Sequence, residues 1–182
     1  TTQAIIHIQD VSGNRVTTST ADVTVAISNG TLTGTTTVTA VNGIATFTDL
    51  GKYGSVSTTK VLTFTATSLT QVQQSAFTLT PGAVSRIALT TAASGFVNRT
   101  AFSTQPVITI QDQDGNTVTS SNATVTVSST GSATLGGTTT MAAVSGVADF
   151  VGKGLNLTGT AGSNTLAYSI STPSSYTTTQ SV

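Results

Sequence analysis

The chain has 182 residues, with six basic and six acidic side chains and no net charge, so charged residues make up 7% of it, against about 25% in an ordinary soluble domain. A surface this poor in charge carries no field to attract nucleic acid or an anionic membrane, and no apolar run reaches the roughly 18 residues of a membrane-inserting helix. There is no cysteine, which removes disulfides, thiolate metal sites and thiol catalysis.

The chain opens mid-pattern at Thr1-Thr2-Gln3, without an initiating Met or a signal peptide, as a processed or excised part of a longer protein would. Ile6 and Ile8 then alternate with His7 and Gln9, and a period of 2 predicts a strand with one apolar face. Ser12-Gly13-Asn14 follows as a tight turn, Gly13 and Asn14 being residues that tolerate positive φ. The next strand carries Val23 and Val25. After a Gly/Thr-rich stretch, Asn42-Gly43 turns the chain into Ile44-Ala45-Thr46-Phe47, and Leu62, Phe64 and Ala66 alternate with Thr63, Thr65 and Thr67. The expected core of this first part is Ile6, Ile8, Val16, Val23, Val25, Leu32, Ala45, Phe47, Leu62, Phe64 and Phe77.

The pattern then recurs. AIIHIQDVSGNRVTT at Ala4–Thr18 returns as PVITIQDQDGNTVTS at Pro106–Ser120, and LTGTTTVTAVNGIATF at Leu32–Phe47 returns as LGGTTTMAAVSGVADF at Leu135–Phe150. A repeat of this length predicts two copies of one module in series, with domains at 1–81 and 82–182 on either side of Pro81-Gly82. Turn signals every 8–12 residues or so predict an all-β chain of two tandem β-sandwiches. The segment Ala83–Ala93 reads as an opening strand of the second module with no counterpart in the first. Three explanations stay open: the chain starts late, the strand is dispensable, or a neighbouring subunit's strand fills the gap.

Asp10, Gly13, Asn14, Val16, Ala21, Val23, Gly43, Ala45 and Phe47 recur as Asp112, Gly115, Asn116, Val118, Ala123, Val125, Gly146, Ala148 and Phe150. This spacing resembles the bacterial immunoglobulin-like repeats of the invasin/intimin type. The resemblance implies immunoglobulin-like sandwiches of the kind found in surface adhesins, surface-layer proteins and stalks, and as accessory modules of secreted enzymes.

Residues able to carry chemistry are few. His7 is the single histidine, and its position on an outward face, with Thr109 as its counterpart, argues against a base oriented by a third group. Asp112 and Asp114, followed by Gly115 and Asn116, resemble the opening of a calcium loop, with Asp149 or main-chain oxygens as further ligands, but the bidentate acid that completes an EF-hand is missing near Asn122-Ala123-Thr124. The competing reading is a structural turn built on Gly13, Asn14, Gly115 and Asn116. Glycosylation sequons stand at Asn29, Asn98, Asn122 and Asn156. Lys52, Lys60 and Lys153 have no acid spaced to promote a Lys–Asn cross-link, and without Trp no sugar-stacking platform is visible. The leading expectation is therefore a non-enzymatic, extracellular, cell-surface structural or spacer module without a required cofactor. Its partners would be copies of itself or neighbouring domains of a longer chain, without nucleic acid or membrane insertion. The alternatives are an adhesin module binding carbohydrate or protein, and an accessory region of a secreted enzyme.

Overall fold

The computed structural model describes residues 3–182. The chain divides into two compact units, Thr1–Thr80 and Pro81–Val182, each with its own cluster of buried apolar side chains. All helix and strand structure among the described residues is strand, in keeping with a sequence rich in β-branched residues at alternating positions.

Unit 1 contains β1 (Ile5–His7), β2 (Asp22–Ile27), β3 (Thr31–Thr33), β4 (Thr37–Thr39), β5 (Ile44–Thr46), β6 (Gly51–Tyr53), β7 (Leu62–Thr65) and β8 (Val72–Gln73). β1 pairs with β5, β3 pairs with β6, and β4-β2-β7-β8 form a four-stranded sheet, all antiparallel. Ile8, Val23, Val25, Ala45, Phe47, Leu62 and Phe64 are buried together, and Ile6, Val16, Leu32 and Phe77 pack against them. Every residue expected in this core belongs to it. The Phe47 and Phe64 rings lie 5.6 Å apart and tilted, a favourable aromatic geometry.

Unit 2 contains β9 (Arg86–Thr91), β10 (Val107–Gln111), β11 (Thr124–Gly136), β12 (Thr140–Ala142), β13 (Val147–Asp149), β14 (Asn156–Ile170) and β15 (Tyr176–Ser181). One sheet has the order β9-β10-β13, the other β12-β11-β14-β15. Ile108 and Ile110 from the first sheet and Val125, Leu166 and Tyr168 from the second share one buried cluster with Phe150. Each unit is an antiparallel β-sandwich, with apolar faces buried between sheets.

The repeat is visible in the registers. Ile6 faces Ala45 as Ile108 faces Ala148, and Val25 faces Phe64 as Val127 faces Tyr168. The hairpin before β5 turns at Asn42 (φ 52°) and Gly43 (φ 73°), the one before β13 at Ser145 (φ 50°) and Gly146 (φ 77°). Two successive positive φ values are the signature of a type I′ turn, whose twist suits a hairpin. A Cβ on Gly43 would strike the Val16 carbonyl, and one on Gly146 the Val118 carbonyl, so glycine is required there for space as well as for φ.

Candidate functional site

Both β1 and β10 run into the same Asp-closed turn. Asp10 Oδ1 accepts the N–H groups of Ser12 and Asn14, each at 2.9 Å, and Oδ2 accepts the Asn14 side-chain amide at 3.2 Å. Asp112 Oδ1 likewise accepts the N–H groups of Asp114 (3.0 Å) and Asn116 (2.9 Å), while the Asn116 amide reaches both carboxylate oxygens. Gly13 and Gly115 both take φ 84° at the tip. Unit 2 adds one contact: the Gly82 N–H donates to Asp112 Oδ2 at 2.9 Å, tying the segment that enters β9 to the turn. Asp112 is buried and Asp10 exposed. Both carboxyls lie below the usual carboxylate range. For Asp10 the Asn14 N–H is the main cause. For Asp112 burial pushes upward, and the combined amide donors, led by the Asn116 side chain and Gly82, outweigh it.

These donors bear on the calcium reading. N–H groups occupy lone pairs of Asp112 that a cation would need, and Asp149 Oδ1 accepts its neighbour's Val151 N–H at 2.8 Å. No group of three or more His, Cys, Asp or Glu that could hold a metal ion occurs among the described residues. The arrangement is that of a hydrogen-bonded turn.

His7 is exposed on β1, on the face opposite the half-buried Ile6 and the buried Ile8. Of the sequons, Asn29 donates its amide to the Thr59 carbonyl (3.1 Å) and Asn156 to that of Gly154 (3.0 Å). Asn98 both donates to and accepts from the backbone of Gly159. Asn122 is exposed in the segment leading into β11. Lys60 is fully buried. Its ammonium donates to the Ser55 and Thr58 carbonyls and to Thr58 Oγ1, so three acceptors meet its three donors. Lys52 Nζ stands 5.0 Å from the centroid of the Phe77 ring.

Two glutamine clamps escaped the sequence reading. Gln105, buried, donates to the Phe102 and Leu155 carbonyls and accepts the Leu155 N–H. Gln3 makes the matching pair with Leu50, donating at 3.2 Å and accepting at 3.1 Å. Their one sequence signal is Gln just before the first strand shared by both copies.

The main difference between the units lies along β1. Phe47 N–H donates to the Ala4 carbonyl and Ile8 N–H to that of Gly43, so the even-numbered residues of this segment bond toward β5. By the antiparallel alternation, Ile5 and His7 turn their backbone groups the other way, where no strand pairs with β1 among the described residues. In unit 2 that side holds β9, with Ile108 facing Leu89, Thr109 facing Ala88 and Ile110 facing Ile87. Between β1 and β8, unit 1 instead has an open groove of about 850 Å³ lined by Ile6, Val23, Phe64 and Val72. A second hollow of about 410 Å³ shares Ile5, Ile6, Phe64 and Val72 with it. Apolar side chains stand exposed along the opening: Ile5 at 59%, Val72 at 50% and Leu69 at 43%.

No family model and no curated protein sequence matches the chain. Among solved structures it is similar to the D0-D1 domain of intimin, at 17% identity and a TM-score of 0.34, over 97% of this chain and 87% of that one. It is also similar to Parabacteroides merdae β-glucuronidase, at 12% identity and a TM-score of 0.40, over 88% of this chain and 21% of that one. A second structure of that enzyme, with glycerol in its active site, gives 10% identity at the same TM-score. Likeness at this level carries no argument about activity or partners.

Proposed function

We propose that the chain is a non-catalytic structural or spacer segment of a prokaryotic surface protein, displayed outside the cell as part of a surface layer, filament or adhesin stalk. It works mechanically, as stiff sandwiches in series whose exposed edges contact copies of itself or neighbouring domains. One observation supports this above others: the two units share cores and turns but differ where chemistry would sit. His7 is matched by Thr109, and Ser12 of the first turn is matched by Asp114 of the second, while Phe47 and Phe150 are both fully buried. Selection for shape retains the shared set, and selection for one bound ligand would retain the other.

The test is to pull single molecules by their ends in a force microscope, alongside binding assays against a glycan array and hydrolysis assays against chromogenic glycosides. Two discrete unfolding events, one per unit, with no glycan retained and no turnover, are expected. Micromolar glycan binding or measurable hydrolysis would overturn the reading.

A further inference from the structure

The open side of β1 is matched, group for group, by what β9 satisfies in unit 2. There, Gly82 N–H donates to Asp112 Oδ2, Ser85 N–H to the Gln111 carbonyl at 2.8 Å, Arg86 Nε to Gln111 Oε1 at 3.1 Å and Thr90 Oγ1 to the Val107 carbonyl at 3.0 Å. At the far end the Gln180 side chain grips both backbone groups of Ala93, while Ile87 is buried in the core and Leu89 packs against it. By the repeat, Asp112, Gln111 and Val107 correspond to Asp10, Gln9 and Ile5. By strand register, Gln180 faces Leu166 as Gln74, whose N–H bonds the Leu62 carbonyl, lies opposite Leu62. All four unit 1 residues line the two hollows. Three of them, Ile5, Gln9 and Asp10, present oxygens where β9 presents donors.

We infer that unit 1 is an acceptor for one extended polypeptide strand of the β9 type, added antiparallel to β1. This deepens the edge-contact part of the reading above and rests on it only there. The register transfers directly: the residue in the place of Leu89 faces Ile6, that of Ala88 faces His7, and that of Ile87 faces Ile8. Branched aliphatic residues at the Ile87 and Leu89 places enter the groove over Val23 and Phe64. A basic residue at the Arg86 place lies beside Gln9 and the Asp10 carboxylate, the complementary charge. The N–H at the Gly82 place, four residues before the Arg86 place, completes Asp10 Oδ2, which accepts a single donor among the described residues of unit 1 where Asp112 Oδ2 accepts two. Main-chain pairing gives such a strand its affinity, and the alternate aliphatic residues its register.

The probe is an N-acetylated synthetic peptide with the sequence of residues 82–93, GAVSRIALTTAA, added to the full chain. Expected are saturable one-to-one binding, slowed amide exchange at Ile5 and His7, and a higher melting temperature for unit 1 with unit 2 unchanged. A peptide carrying Ser in place of both Ile87 and Leu89 should bind at least tenfold more weakly. The acceptor is overturned if neither peptide protects the Ile5 and His7 amides, or if both protect them equally. It is also overturned as a site for a separate strand if the chain alone dimerises with those amides already protected, since a second copy then fills the groove. None of these failures touches the two-event unfolding expected of a spacer, so the two readings fail separately.

Discussion

At the scale of single residues, unit 2 holds one polar atom out of keeping with its surroundings. Thr109 is 9% exposed, and its Oγ1 is buried with no hydrogen-bond partner among the described residues. A hydroxyl buried without a partner costs roughly 1–3 kcal/mol, and valine has nearly the same shape. Thr109→Val should therefore raise the stability of unit 2 by about 1 kcal/mol in urea unfolding. Asp112 is the opposite case, a buried carboxylate whose donors outnumber its oxygens. Its folded pKa lies below its ordinary value near 3.8. The ionised form is thus favoured in the folded state, and the stabilisation is present above that ordinary value and lost as pH falls through the folded one. Unit 2 should melt at a nearly constant temperature from neutral pH to about 5 and lose stability below about 4. Asp112→Asn should flatten its share of that acid slope. Asp112→Ala should cost about 1–3 kcal/mol and more than Asp10→Ala, because Gly82 is an additional donor. Equal losses in the two variants would show that the Gly82 bond contributes nothing.

At the scale of elements, the sequence was most legible where periodicity and turn chemistry coincide. Alternating Val23 and Val25, and Leu62 and Phe64, are each recovered as strands with one face toward the core, and Ile6 lies in β1 with Ile8 buried just past its end, because a side-chain period of 2 is a local property. The hairpin turns were legible for the same reason. The two glutamine clamps were not, because they join residues 47 and 50 positions apart, and nothing local marks an amide that will meet a distant backbone. Of the candidate site, the absence of a counterpart to Ala83–Ala93 within the sequence could be read by aligning the two copies, but the groove beside β1 needed β8 placed opposite it. The two hairpins also make a comparison possible. Asn42 and Ser145 occupy the same left-handed position, φ 52° and 50°, and Asn tolerates it better than Ser because its side chain bonds locally. Ser145→Asn should stabilise unit 2 by up to about 1 kcal/mol, read as a higher urea midpoint with unchanged slope. The reverse change, Asn42→Ser, should lower unit 1 by a similar amount.

At the scale of the whole molecule, two separate cores mean two separate stabilities. Phe47 and Phe150 are repeat equivalents, both fully buried, yet their surroundings differ. Phe150 sits in a cluster closed by β9, through Ile87 and Leu89, whereas Phe47 shares a smaller cluster with Phe64, the side chain that also lines the open groove. Truncating either ring removes apolar contacts and leaves a cavity, at about 3–5 kcal/mol where the surroundings hold firm, and less where they can collapse into the space. Phe150→Ala should therefore fall within that range and lower the melting of unit 2 alone. Phe47→Ala should lower unit 1 alone. It should cost less, since an open sandwich edge lets Phe64 and Ile6 shift into the space. Calorimetry of both variants measures the difference directly. Adding the residue 82–93 peptide should close that gap, raising the cost of Phe47→Ala toward that of Phe150→Ala, because a strand seated on β1 fixes the walls that would otherwise relax.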